Sequence, residues 1–156
     1  MSSPTLWATT RPSTVPPVVR PRPRQVPGHQ ALVALPAEIP WVPVARRGVS
    51  AVLAQWRLPS ADRASAELVV GELTANAAEH GRCDMTVYLS LHAGLLRISV
   101  TDSGAAVRPR TTQDTDPDEH GRGLTIVELL AQEIRVHQGP LGRRVSVALP
   151  TAAAKA

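Results

Sequence analysis

Apolar and polar positions change rhythm several times along the chain, and each rhythm names an element. His29 to Leu35 (HQALVAL) reads as a first strand, which Pro36 ends. From about Pro43 to Trp56 the pattern turns helical, with Val44, Val49, Val52, Leu53 and Trp56 on one side. Proline is tolerated at such a start because the first helical N–H has no intrahelical partner. Leu58-Pro59-Ser60 breaks the chain, and Ser60 is a good N-cap for a second helix from about Ala61 to Glu79. There Val69, Leu73 and Ala77 recur at four-residue spacing until Gly81 stops the helix. Met85, Val87, Leu89 and Leu91 then alternate with polar residues, as do Leu96, Ile98 and Val100 beyond a His92-Ala93-Gly94 turn. This is a hairpin. Residues 105–120 have no period and read as a long mobile loop. A third helix is expected at about Arg122 to Gln132, with Leu124, Val127, Leu130 and Ala131 inward. Strands at Ile134–His137 and Arg144–Leu149 close the pattern around a Gly/Pro turn. Helices grouped before and between antiparallel strands predict an α+β fold, a two-layer sandwich whose mixed or antiparallel sheet is covered on one face by helices.

Composition narrows this picture. The chain has 156 residues, enough for one domain of residues 29–150 flanked by a tail at 1–28 and a flexible C-terminus at 151–156. Residues 1–28 hold seven of the fifteen prolines, four arginines and no acid, so they are expected to be disordered or extended. The net charge of +4 is therefore the tail's, and the rest of the chain is balanced. Without a basic stripe or a stacking platform in the folded part, direct nucleic-acid binding is not expected. The only lysine is Lys155, which excludes a Schiff-base or P-loop lysine. Cys83 is alone, so no internal disulfide forms and no structural zinc site is expected. No secretory h-region and no apolar run of bilayer length is present, and a cytoplasmic location is the expectation.

Three groups could carry chemistry. Glu72, Asn76 and His80 are four apart and stack on one face of the second helix, beside its apolar stripe. A carboxylate there can act as a general base, and an amide oxygen one turn away can hold a hard cation such as Mg²⁺. Asp102 shares the side of Leu96, Ile98 and Val100 and continues their face to the strand's end. Gly104 follows and permits close approach of a flat ligand. In His120-Gly121-Arg122-Gly123-Leu124, two glycines open a helix, where backbone N–H groups and the helix dipole favour anions. Each group alone also fits a plainer reading: a solvated stripe, an Asp-Ser-Gly turn, a flexible helix start. Taken in order, with the 105–120 loop as a lid, they describe one nucleotide pocket.

At this point the chain resembles the Bergerat-fold (GHKL) ATPases, and within them the RsbW-type anti-sigma-factor serine/threonine kinases. The resemblance rests on GELTANAAEHG (71–81), VTDSGAAV (100–107) and HGRGLTIVELLA (120–131), with the upstream ARRGVSAVLAQWRLPSADRASAELVV similar to the subfamily's opening helices. It implies ATP and Mg²⁺ as cofactors. It implies that Glu72 polarises the attacking hydroxyl or water and that Asn76 binds Mg²⁺. Asp102 would accept from the adenine amino group, with Gly104 beneath the base, while Gly121, Arg122, Gly123 and Leu124 would donate to phosphates. Three departures stand out. Gly142-Arg143-Arg144 replaces the usual Gly-Lys or Gly-Thr, which makes Arg143 a candidate phosphate contact; Ala105-Ala106-Val107 alters the lid hinge; and the Pro/Arg tail lies outside the pattern.

The function implied by the resemblance is transfer of the ATP γ-phosphoryl to a Ser/Thr of a protein partner, an antagonist, alongside the holding of a sigma factor. The alternative is an ATP-binding module that sequesters its partner without efficient transfer. A detached histidine-kinase catalytic domain ranks last, because no phosphoacceptor helix pair precedes the domain in this sequence. Related proteins often dimerise, so a homodimer is a further expectation; a membrane partner is not expected.

Overall fold

A computed structural model describes residues 28–80, 83–103 and 125–152. Strand β1 (His29–Pro36) leads through a short 3-10 turn, Ile39–Trp41, into helix α1 (Val42–Gln55). Helix α2 (Ser60–His80) follows, then β2 (Asp84–His92) and β3 (Leu95–Asp102). Residues 125–130 belong to a third helix, α3, ahead of β4 (Glu133–Gly139) and β5 (Gly142–Pro150). The five strands form one sheet in the order β1-β2-β3-β5-β4, every neighbouring pair antiparallel. The expected two-layer α+β sandwich is what forms.

Alternation along the strands decides which face is covered. Met85, Val87 and Leu89 of β2, Leu96, Ile98 and Val100 of β3, and Val147 and Leu149 of β5 are buried. Against them α2 lays Ala66, Val69, Val70, Leu73, Thr74 and Ala77. Each fully buried Val or Leu contributes roughly 1.5–3 kcal/mol. The one polar side chain in that stripe, Thr74, is completely buried, and its hydroxyl donates to the Val70 carbonyl at 2.6 Å within the helix. The opposite face of the sheet is polar: Ser99 and Ser146 hydrogen-bond across strands at 2.8 Å, and the Arg144 Nε donates to Thr101 Oγ1 at 3.2 Å.

The helices differ in detail from the sequence pattern. Helix α1 buries Ala45, Val49 and Leu53, whereas Val44 is exposed. A stripe of period 3.6 running through Val49 and Leu53 passes through position 45, and residue 44 lies a third of a turn away. Ser60 is the first residue of α2 rather than its cap: the Pro59 carbonyl already accepts from the Arg63 N–H at 3.0 Å. At the far end of the sheet Thr151 is buried, and both its N–H and its hydroxyl reach the Gly94 carbonyl at 2.8 Å. The Ala152 N–H donates to Asp62 Oδ2 at 2.8 Å. Residues 151–152, assigned to the flexible C-terminus on sequence, are thus tied to the β2–β3 turn and to the start of α2.

On the open face Glu133 takes the Arg135 Nε at 2.7 Å and the Arg97 guanidinium at 3.3 Å. The Arg135 hydrogen bond, more than the partial desolvation that opposes it, holds the Glu133 carboxyl below its ordinary value of 4.5, and Arg97 adds to the effect. A carboxylate whose pKa falls on folding stabilises the fold above its unfolded value, and that contribution disappears as pH drops through the folded one. Glu133→Gln is therefore expected to have a shallower fall in melting temperature than the parent below about pH 4.5. Parallel acid limbs in a pH series of thermal melts would count against the contact.

Candidate functional site

Helix α2 has a buried stripe and two shoulders, and its neighbours tell the shoulders apart. On one, Gly71 lies against the side chain of Arg46 of α1, and Arg63 and Glu67 face the same helix. On the other, Asp62 and Ser65 line a small cavity with Leu130 of α3, Leu96 and Leu149. Projecting the helix at 3.6 residues per turn puts Glu72 and Asn76 on the second shoulder, away from α1. Both are half-buried. His80, one further turn on, is also half-buried, with its Nε2 3.9 Å from Glu79 Oε2.

Asp102 ends β3 on the helix-facing side, as its parity with Leu96, Ile98 and Val100 requires. It is 8% exposed, beside Met85 of β2 and Arg143 of β5 in the register. Since α2 leads through only residues 81–83 into Asp84, and Asp84 is bonded to Ser103, the C-terminal turns of α2 and the end of β3 share one end of the sandwich. The opposite end holds the start of α2, tied to Ala152. Asn76 and Asp102 are therefore brought to the same end, on the side of the sheet that the helices cover.

Two residues that position Asp102 were given no such role on sequence. Ser103 locks the strand end: its N–H donates to the Asp84 carbonyl at 3.2 Å, and its Oγ accepts from the Asp84 N–H at 3.2 Å. Gly142 lies where a Cβ would collide with the Asp102 carbonyl oxygen, and its φ is +136°. Only glycine combines that backbone with that proximity. The Gly/Pro turn was the available signal for Gly142; nothing local marked Ser103 as more than a turn residue. Of the two arginines that follow, Arg143 shares the face of Asp102 and Arg144 the opposite, polar face.

Gly104, Gly121, Arg122, Gly123 and Leu124, together with the expected lid at 105–120, lie outside the described residues. Among the described residues no group of three or more His, Cys, Asp or Glu side chains could hold a metal ion, and no helix is long and apolar enough to cross a membrane.

Residues 35–149 match the family model of the histidine kinase-like ATPase domain. The chain belongs to that family. Membership implies ATP as the ligand of this ATPase domain. Among solved structures it is similar to the RsbU and RsbW domains of Rv1364c from Mycobacterium tuberculosis, at 23% identity and a TM-score of 0.61. That alignment covers 81% of this chain and 34% of the other, so the ATPase domain spans about a third of the mycobacterial chain, and the likeness is one of fold. The histidine kinase domain of a blue-light-activated histidine kinase from Erythrobacter litoralis aligns at 26% identity over 60% of this chain and 46% of that one, with a TM-score of 0.45. A search of curated proteins gave no match.

Proposed function

We propose that this ATPase domain binds ATP with Mg²⁺ at the Asp102 end of the sandwich and transfers the γ-phosphoryl to a serine or threonine of a partner protein. The proposal is supported by the placement of the C-terminal turns of α2, with Asn76 on the shoulder away from α1, at the same end of the sandwich as the largely buried Asp102. The sequence resemblance of residues 71–81, 100–107 and 120–131 to RsbW-type kinases points to a protein acceptor, a sigma-factor antagonist, with a sigma factor as the partner held.

The donor set fits the cation. Asn76 offers a half-buried amide oxygen, and Mg²⁺ keeps most of its shell for water and phosphate, so one protein ligand is enough. Bound there, Mg²⁺ neutralises charge on the phosphates. Asp102 accepts from the adenine amino group, and a purine without that donor forgoes a charge-assisted hydrogen bond. Gly104 lies beneath the base; Gly121, Arg122, Gly123 and Leu124 donate to the phosphates. Arg143 stands beside Asp102 in the register. Glu72, one turn before Asn76, takes the proton of the attacking hydroxyl as its oxygen bonds to the γ-phosphorus and the bond to ADP breaks.

Calorimetric titration with Mg-ATP tests the site. Asp102→Asn is expected to weaken binding by at least ~1.4 kcal/mol, about tenfold, through loss of a charge-assisted acceptor. Equal affinity for variant and parent would remove Asp102 from the base site.

A further inference from the structure

The shoulder of α2 that turns away from Glu72 and Asn76 carries a second feature. Between α1 and α2 runs a groove of about 480 Å³, lined by Arg46, Arg47, Ser50 and Ala54 from α1 and by Arg63 and Glu67 from α2. That volume lies within the range of about 300–1,000 Å³ found for ligand-holding clefts. The groove lining thus holds three arginines, Arg46 and Arg47 on α1 and Arg63 on α2, against one acid, Glu67 of α2. No ion pair joins Arg46, Arg47 or Arg63 to a carboxylate among the described residues. The Nε of Arg63 is buried and has no hydrogen-bond partner, so this arginine is not tied down within its own helix pair. Gly71 shapes the site: a Cβ there would stand 3.2 Å from Arg46 Cδ. Its absence lets the Arg46 stem lie down on α2 and hold its charge over the groove.

Just before and at the start of α1, Ile39 is 55% exposed and Trp41 and Val44 are each 37% exposed. We infer that the α1–α2 groove docks an acidic segment of a partner protein, whose carboxylates meet Arg46, Arg47 and Arg63. Charge selects this occupant. The chain's own residues 1–27 carry four arginines and no acid, so they are repelled. The concave shape takes a chain segment better than the plane of a lipid surface. The inference is independent of the phosphotransfer reading, because the groove and the Glu72 shoulder are on opposite sides of α2.

The full-length protein is titrated against a fluorescein-labelled ten-residue peptide of Glu and Asp with one central Leu, read by anisotropy. Saturable binding is expected, weakened at least ~tenfold in the double variant Arg46→Gln/Arg63→Gln and likewise in Arg46→Gln/Arg47→Gln. The control Arg135→Gln/Arg144→Gln removes the same charge from the open face of the sheet and leaves affinity within about twofold. Amide shifts on peptide addition fall on Ser50, Ala51 and Ala54. Equal weakening by the groove and control pairs overturns the inference in favour of unspecific charge attraction. Binding to phosphatidylserine vesicles without binding to the peptide overturns it in favour of a membrane surface. Competition by millimolar sulfate as effective as by the unlabelled peptide overturns it in favour of a small-anion site. Melting temperatures confirm that each variant is folded, and an ATP titration reads the nucleotide site separately.

Discussion

If the domain transfers phosphoryl as proposed, Glu72→Ala is expected to lower transfer by at least ~100-fold while ATP affinity stays within a few-fold of the parent. The magnitude follows from the usual general-base contribution of about 10²–10⁴. The separation of effects follows from placement: Glu72 lies one helical turn before Asn76, on the shoulder of α2 that faces α3, and Asp102 is carried by a different element. A reduced turnover with unchanged affinity is the mark of a group used mainly in the transition state. The measurement is release of label from γ-labelled ATP, and its appearance on an antagonist protein, for parent and variant. A variant that transfers as fast as the parent would exclude Glu72 as the base. A parent that binds ATP but labels no partner would favour sequestration over phosphotransfer.

Gly142→Ala is expected to damage fold and site together. At φ +136° a side chain costs of order 1–3 kcal/mol in backbone strain, before any clash. Here the added methyl also meets the Asp102 carbonyl, a backbone atom that cannot rotate aside. The β3–β5 ladder must open locally, and Asp102 moves with it. The urea midpoint is expected to fall by the equivalent of at least ~2 kcal/mol, and ATP affinity to fall with it even at temperatures where the variant is folded. Gly139→Ala, in the same hairpin, meets nothing closer than the tip of His137 at 3.4 Å and serves as the mild control. If both alanine variants melt alike, the close approach of β5 to the end of β3 is not as tight as described.

The two predictions lie on either side of what a linear reading of the chain can reach. Glu72 and Asn76 were visible as a polar pair on an apolar helix, and Asp102 as the inward continuation of Leu96, Ile98 and Val100. Both readings use only backbone periodicity, which is a local property and survives in a linear string. Gly142 and Ser103 were different. Each matters because of a partner far away in sequence: the Asp102 carbonyl for one, Asp84 for the other. Neither partner can be known until strand order is known. The buried Thr74 was also hidden, since its hydroxyl is satisfied inside its own helix and leaves no polar neighbour to betray it.

What the chain's own pattern determined is therefore the set of elements, both hairpins, the side of β3 on which Asp102 sits, and the polar shoulder of α2. Periods of 2.0 and 3.6 residues, with proline and glycine as stops, are enough for these. Tertiary structure decided the rest: the order β1-β2-β3-β5-β4, the burial of Ala45 in place of Val44, the fastening of residues 151–152, and which shoulder of α2 meets α1. Such choices come from competition among surfaces distant along the chain for the same buried space, and no short window of sequence contains both competitors.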